Sequence, residues 1–542
     1  MNAVKWSVPA LAVMLAACGG DSSSDVVAPS SKSETGVFTD SAVAGIYYET
    51  ETRSGYTNAL GEYKYQEGET VTFSIGGTPL PPVPATGRVT PADMTVDGQP
   101  DTVTNILRLL QTLDDDGNPD NGITISETTH ADFTGVELDV TGAAATFEGE
   151  AQTAIGETLV SAADAEAHFD ASQQADLRGS WIFVEPEAES SGGLGPNGEE
   201  INVLTFLDGG RYIVAHKYGN GDQGAATAEW GTYSWDPASG DLGISVQGES
   251  DGDGGLSDLP TGDTIKLVGD ELLLGSEAGA ETPFQRVSDA NNPMVGAWYL
   301  KDGSDFHVLT ILDNDQYVVA HSNNGESYGG GSVTPVSSEW GFYNVSGGTF
   351  EATAVEEEID GSGGLYDAES VGAEGLVADI DATAWGDLQF DPTDEGPFAM
   401  RRIGRFLAEL KDFAGVSSQV VVERLDDGVF ESGTGKGFEY DMVGEGTVSQ
   451  VTLVSDGSGT IVLAVGSPDE ENSVIDEPWV VTETGALDYY ETIPSDQSTG
   501  HWVFAPVRTS DGSERVLVDF RHVDGGTESL VGFYESELRP LP

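Results

Sequence analysis

The sequence predicts a mainly β fold of several antiparallel sandwiches or barrels, with a small helical insertion in the first domain. Three observations carry that expectation. Short runs of Val, Ile, Tyr, Trp and Thr alternate with Asp-Gly and Gly-Gly turns, and the chain holds 71 glycines, a pattern of strands joined by tight hairpins. A block of strands recurs after 105 residues at Leu204 and Leu309, and after 110 at Trp230 and Trp340. That is too long for a solenoid unit and right for an independent β domain. The only cysteine is Cys18, so no disulfide supports a small core and each domain must bury its own. A length of 542 residues suggests about three to five domains.

The chain starts with Lys5 and the apolar run from Val8 to Ala17, directly followed by Cys18. This reads as an export signal over residues 1–17. The run is too short to span a bilayer, which needs about 20 apolar residues. Leu15-Ala16-Ala17-Cys18 resembles the lipobox of bacterial lipoproteins. The resemblance implies lipidation of Cys18, which becomes the new N-terminus, and attachment to the membrane through that lipid anchor. Gly19, where an Asp favours inner-membrane retention, points to the outer membrane. Residues 18–36 are small, polar and aperiodic, as expected of a flexible tether.

The first domain is expected over 37–175. Val43–Tyr48 reads as one strand, a turn falls at Asn58–Gly61, and Val71, Phe73 and Ile75 alternate on one face of the next. The order V-x-G-I-x-Y, T-x-x-x-G-x-Y-x-Y, G-x-x-V-x-F-x-I-G is similar to transthyretin-like and Cna B-type modules of bacterial surface proteins. Val103, Ile106, Leu107, Leu109, Leu110 and Leu113 then recur at helical spacing, with Asp101 or Thr102 as cap, and a second helix is expected from about Ala151 to Phe169.

Two tandem β repeats follow, over 176–290 and 291–402. Copy one has Gly179-Ser180-Trp181, Val203–Asp208, Tyr212–His216, Glu229-Trp230-Gly231, Gly254-Gly255-Leu256 and Pro283–Arg286. Copy two answers with Gly296-Ala297-Trp298, Val308–Asp313, Tyr317–His321, Glu339-Trp340-Gly341, Gly363-Gly364-Leu365 and Pro397–Arg401. The Gly-x-Trp opening, the hairpin meander and the late Pro-Phe…Arg strand are similar to small lipocalin-like barrels, with a sandwich as the other solution. A last β domain is expected over 403–542, opened by a short helix at Phe406–Leu410.

Charge narrows the function. With 93 acidic against 22 basic residues and a net charge of −71, a nucleic-acid surface is excluded, because that affinity rests on clustered Lys and Arg. No H-E-x-x-H or P-loop motif is present, and no catalytic residue is singled out. Asp114, Asp116, Asn118 and Asp120 occupy alternate positions, the spacing with which a tight loop turns oxygens toward one calcium ion. The loop resembles the Asp-x-Asp-x-Asn-x-Asp calcium sites of dockerin-like and thrombospondin-type proteins. The twelfth position is Ile125 rather than Glu, so it is no EF-hand. Glycine-rich stretches at 251–255 and 360–364 read as hairpin turns before metal. His216 and His321 sit at matching positions near Glu229 and Glu339, as core histidines or an acid–base pair. Trp230 and Trp340 read as core or as ligand-stacking platforms.

The expected function is that of an exported surface lipoprotein, an adhesin-like binding or structural protein contacting glycan or protein partners, with calcium stiffening its first domain. Rival expectations are a glycan hydrolase working through a carboxylate pair and a small-ligand carrier in hollow lipocalin-like barrels.

Overall fold

The computed structural model describes residues 34–540 apart from 120–121, 185–200, 218–225, 238, 251–254, 261, 269–270, 276–280, 290–291, 323–334, 360–363, 368–373, 393–395, 412–414, 426–428, 431–435, 439–449, 456–460, 467–472, 476–479, 493–498, 510–513 and 525. The segment expected to be an export signal, Cys18, Asp120 and most of both glycine-rich stretches lie outside those residues. The chain is mainly β, with several sheets, one of them a closed barrel. No helix among the described residues is long and apolar enough to cross a membrane.

The first domain starts earlier than expected, with a strand at Glu34–Phe38 that pairs antiparallel with Glu62–Tyr65 and parallel with Arg88–Val89. The strand Thr70–Ile75 buries Val71, Phe73 and Ile75 completely, and Phe38 stacks on Phe73 at 4.2 Å. The single strand expected at 43–48 is broken at Gly45 (φ 73). A side chain there would strike the carbonyl oxygen of Ile125 at 2.4 Å. Val43–Ala44 therefore leaves its sheet and pairs with Ile123–Thr124, the chain returning from the first helix.

Four α-helices follow among the described residues: α1 (Thr102–Thr112), α2 (Glu127–Asp132), α3 (Ala144–Ile155) and α4 (Ala162–Leu177). The one helix expected over 151–169 is two. Gly156 ends α3 in the left-handed conformation (φ 86), and Ser161 caps α4 by accepting the Asp164 N–H at 3.1 Å. Asp101 does not cap its own helix with its side chain; its carboxylate takes the Ala144 N–H at 2.8 Å, at the start of α3.

Each repeat is a meander of eight antiparallel strands. Repeat two runs from Gly296–Asp302 to Phe398–Ile403 and closes on itself, Trp298 standing opposite Arg402. Repeat one runs from Gly179–Val184 to Thr282–Arg286, which pair with Trp181 opposite Arg286, but its sheet stays open between Leu242–Glu249 and Thr264–Val268, which among the described residues approach only at the bridge between Asp241 and Thr264. The barrel interiors are filled. Trp181, Phe206, Tyr212, Val214 and Trp235 pack the first, and Trp298, Leu309, Tyr317, Phe350 and Phe390 the second. Strands Arg211–Lys217 and Gln316–Ser322 are buried on both faces because their outer faces meet. Val203, Ile213 and Ala215 of repeat one pack there against Val308, Val318 and Ala320 of repeat two in one continuous core.

The last unit opens with a strand, Arg405–Lys411, where a short helix was expected. Helix-forming Leu407, Ala408 and Leu410 alternate between solvent and core because Ser417–Arg424 pairs with the segment along its whole length. Pairings of these two strands with Thr499–Thr509, Glu514–Asp524 and Thr527–Pro540 complete a ring of five.

Candidate functional site

A chain with so few cations places several of them at one point. Asp176, in the last turn of α4, is enclosed by Arg88 of the first domain, Arg286 of the last strand of repeat one, and Arg405 of the C-terminal unit. Arg88 and Arg405 donate to its carboxylate, and Arg286 to its carbonyl oxygen. Cations at a helix C-terminus also meet the negative end of its dipole. Burial alone would raise the Asp176 pKa, but Arg405 and Arg88 outweigh it and hold the carboxyl below the usual range. Arg88 is further fixed by Gln173 at 2.9 Å, and Arg286 by the Arg178 carbonyl at 2.9 Å. A second tier lies alongside: Arg178 pairs with Glu423, and Arg401 with Asp208 at 2.9 Å.

These groups border a cleft of about 340 Å³ between three units. Val37, Ala42 and Leu60 of the first domain, Leu267 of repeat one, and Leu407 and Val421 of the C-terminal unit form its apolar walls. Arg88, Arg286 and Arg405, gathered on Asp176, line it together with Glu62. An apolar cleft at a domain junction with a few convergent polar groups is the usual form of a small-ligand site. The sequence marked none of these charged residues as part of a site.

The expected site residues are distributed otherwise. His216 is buried with Nδ1 3.2 Å from the Thr227 hydroxyl. His321 is buried against Ser337 and stacks on His307 at 4.8 Å. The glutamates paired with them in the expectation have other work. Glu229 accepts from the Tyr212 hydroxyl at 2.7 Å and from Ser257, and Glu339 from the Tyr317 hydroxyl at 2.6 Å and the Leu365 N–H at 2.7 Å. Each is a buried latch holding the segment that follows the glycine-rich stretch, at Ser257 or at Leu365 and Tyr366, to its sheet. Trp230 and Trp340 line no barrel interior; they stand on the outer faces, in the seam between repeats. Trp230 meets Phe306 edge-on at 5.5 Å, and Lys217 lies 5.6 Å over Trp340. Trp181, Trp235 and Trp298 lie inside, and Trp181 and Trp298 are each capped by an arginine of the last strand, Arg286 at 4.1 Å and Arg402 at 5.0 Å.

The acidic loop joins α1 to the strand Ile123–Thr124. Asp114 is 7% exposed, its Oδ1 accepting the Thr124 N–H at 2.8 Å, while Asp116 Oδ1 accepts the Asn118 N–H at 2.9 Å. Asp116 and Asn118 are exposed.

No protein-family model matches the chain, and no curated protein matches it significantly.

Proposed function

We propose that the chain is an exported lipoprotein, lipidated at Cys18 and held at the outer membrane, that acts by binding. Its ligand seat is the junction cleft, and the ligand has an anionic head on a short apolar body. The cleft carries this reading. In a chain of net charge −71 an anion is repelled almost everywhere, whereas at the cleft the three arginines Arg88, Arg286 and Arg405 outnumber the two acids Asp176 and Glu62, beside Leu267, Leu407 and Val421. A volume of about 340 Å³ suits a small molecule. Carriage inside the barrels is the weaker reading, since both interiors are occupied by their own side chains.

Calorimetric titration of the full chain with octanoate, and with octanol as the uncharged control, tests it. Octanoate binds and octanol binds at least tenfold more weakly, a difference of about 1.4 kcal/mol. Leu407 is 43% exposed, so Leu407→Asp leaves the fold intact and weakens octanoate at least tenfold. No octanoate heat, or equal affinity in Leu407→Asp, rejects the cleft as the seat.

A further inference from the structure

The two repeats begin the last seam of their barrels alike and finish it differently. In repeat two the Ile380 N–H bonds the Gly348 carbonyl at 2.9 Å, and in repeat one the Ile265 N–H bonds the Gly240 carbonyl at 2.9 Å. Repeat two then continues. Phe350 stands opposite Ala378, Glu351 opposite Val377, and the Ala352 N–H donates to the Leu376 carbonyl at 2.9 Å. The segment Glu374-Gly375-Leu376 lies so close that a Cβ on Gly375 would run into the Ala352 carbonyl oxygen. Phe350 and Ala352 are fully buried. Repeat one stops after Asp241 opposite Thr264. There the Asp263 N–H bonds the Pro260 carbonyl at 3.1 Å and Gly262 takes φ 99, a turn that carries the chain off the edge toward Leu256, which is buried in the barrel.

The edge left open is that of Leu242–Glu249. The Asp241 carbonyl accepts the Asp236 N–H at 3.1 Å, and successive residues of an antiparallel strand turn their backbone groups to alternate sides. Those of Ile244 and Val246 therefore point away from Thr227–Trp235 and into the seam, where they meet no hydrogen-bond partner among the described residues. Ile244 stands opposite Tyr233 as Ala352 stands opposite Tyr343, so it is the position that takes the Leu376 carbonyl in repeat two. Leu242, Ile244 and Val246 are only half-buried. With Leu256, Leu259 and Pro260 they line a cleft of about 300 Å³. Asp263 also lines it, and exposed Asp241 and Asp258 adjoin its lining residues, against Lys266 on the facing strand.

We propose that this edge takes an extended peptide segment of a partner protein, added as an antiparallel strand with apolar side chains over Ile244 and Val246 and Lys or Arg between them. An open edge lacks main-chain donors and acceptors, which a peptide in strand conformation supplies. Repeat two shows the form of the occupant, since a stretch of extended chain fills the equivalent place there. The basic residues follow from the acids around the cleft. This inference is independent of the junction cleft.

The probe is the peptide acetyl-Lys-Val-Lys-Leu-Lys-Val-Lys-amide, titrated into the full chain at about 0.5 M sodium chloride to suppress unspecific attraction to the acidic surface. It binds one site. In the antiparallel pairing its Val and Leu amides face the edge and its Lys amides face solvent. N-methylation of the Val and Leu amides weakens binding about tenfold or more, whereas N-methylation of the Lys amides leaves it nearly unchanged. Ile244→Pro removes the donor that faces the seam and spares the bonds to Thr227–Trp235; it weakens the unmodified peptide about tenfold or more. Circular dichroism establishes that the variant is folded, and the two methylated peptides decide on the native chain whether or not it is. Absence of saturable binding, equal loss with both methylation patterns, or unchanged affinity in folded Ile244→Pro overturns the proposal. Dimerisation of the native chain in sedimentation, abolished by Ile244→Pro and not competed by the peptide, also overturns it and gives the edge to a second copy.

Discussion

Asp40 shows what one buried charge does in this molecule. It is wholly enclosed; Gln111 Nε2 donates to Oδ2 at 2.8 Å, and His168 Nε2 lies 3.7 Å from Oδ1. Burial drives its pKa from 3.8 up to about 6, and His168 and Gln111 reverse only part of the rise. The folded state therefore holds a proton that the unfolded chain has lost between about pH 4 and 6. The stability of the first domain falls as pH climbs through that window, by something on the order of 3 kcal/mol. Asp40→Asn keeps the polar contacts and removes the titration. Urea midpoints of both proteins at intervals from pH 4 to 7 should diverge up to about pH 6 and then run parallel, the variant being the less pH-sensitive. Parallel curves throughout would mean that Asp40 stays ionised against His168.

At the scale of elements, the repeated Glu-Trp-Gly shows how far the sequence could be read. Its recurrence at 229–231 and 339–341 made the tandem repeat legible, as did alternation along the hairpins, because both signals are local. The work of the three residues was not legible, since each serves a different distant neighbour. Glu339 points inward, where Oε1 accepts from Tyr317, Leu365 N–H and Tyr366 N–H. Trp340 points outward to the other barrel. Gly341 is bare because a Cβ there would sit 2.5 Å from the Tyr317 hydroxyl oxygen. Glu339→Ala leaves three donors without an acceptor and should cost about 3 kcal/mol, whereas Glu339→Gln, which retains Oε1, should cost about 1 kcal/mol or less. Gly341→Ala displaces Tyr317 from the latch and should cost about 2 kcal/mol. Combining it with Glu339→Ala should add little, because both break one interaction; full additivity in denaturant melts would show that the two act separately. The Phe406–Leu410 helix failed for the complementary reason: its composition favours a helix, and a pairing partner that composition does not reveal makes it a strand. The cleft was illegible because Val37, Arg88, Asp176, Arg286 and Leu407 share no sequence neighbourhood.

Across the whole molecule, the two barrels pack as near-equivalents. Strand Arg211–Lys217 lies against its counterpart Gln316–Ser322, and Thr227–Trp235 against Val336–Ser346. Equivalent positions such as Ile213 and Val318 share one core, and Ser180 reaches Thr310 across the seam at 2.8 Å. That hydrogen bond carries no charge, but Lys217 of repeat one pairs with Glu356 of repeat two across the same seam at 2.7 Å, the two side chains 2% and 17% exposed. The other junctions rest on ion pairs that are largely shielded from water: Arg405–Asp176 is 15% and 13% exposed, and Arg424–Asp387 is 0% and 3% exposed. Against them stands a net charge of −71, most of it on the surface, where repulsion acts over distances beyond a single contact. Added salt shortens the screening length from roughly 10 Å at 0.1 M to about 3 Å at 1 M, and it screens exposed charges far more than buried ones. The repulsion is therefore weakened while the junctions keep their strength, and stability must rise with salt. Sodium chloride raised from about 0.05 to 0.5 M should lift the melting temperature by about 5 °C or more, with no parallel rise in the urea m-value, because the surface exposed on unfolding is unchanged. A melting temperature that falls over this range would show that the arginine pairs at the junctions are open to solvent and that they, rather than the dispersed acidic surface, dominate the electrostatics.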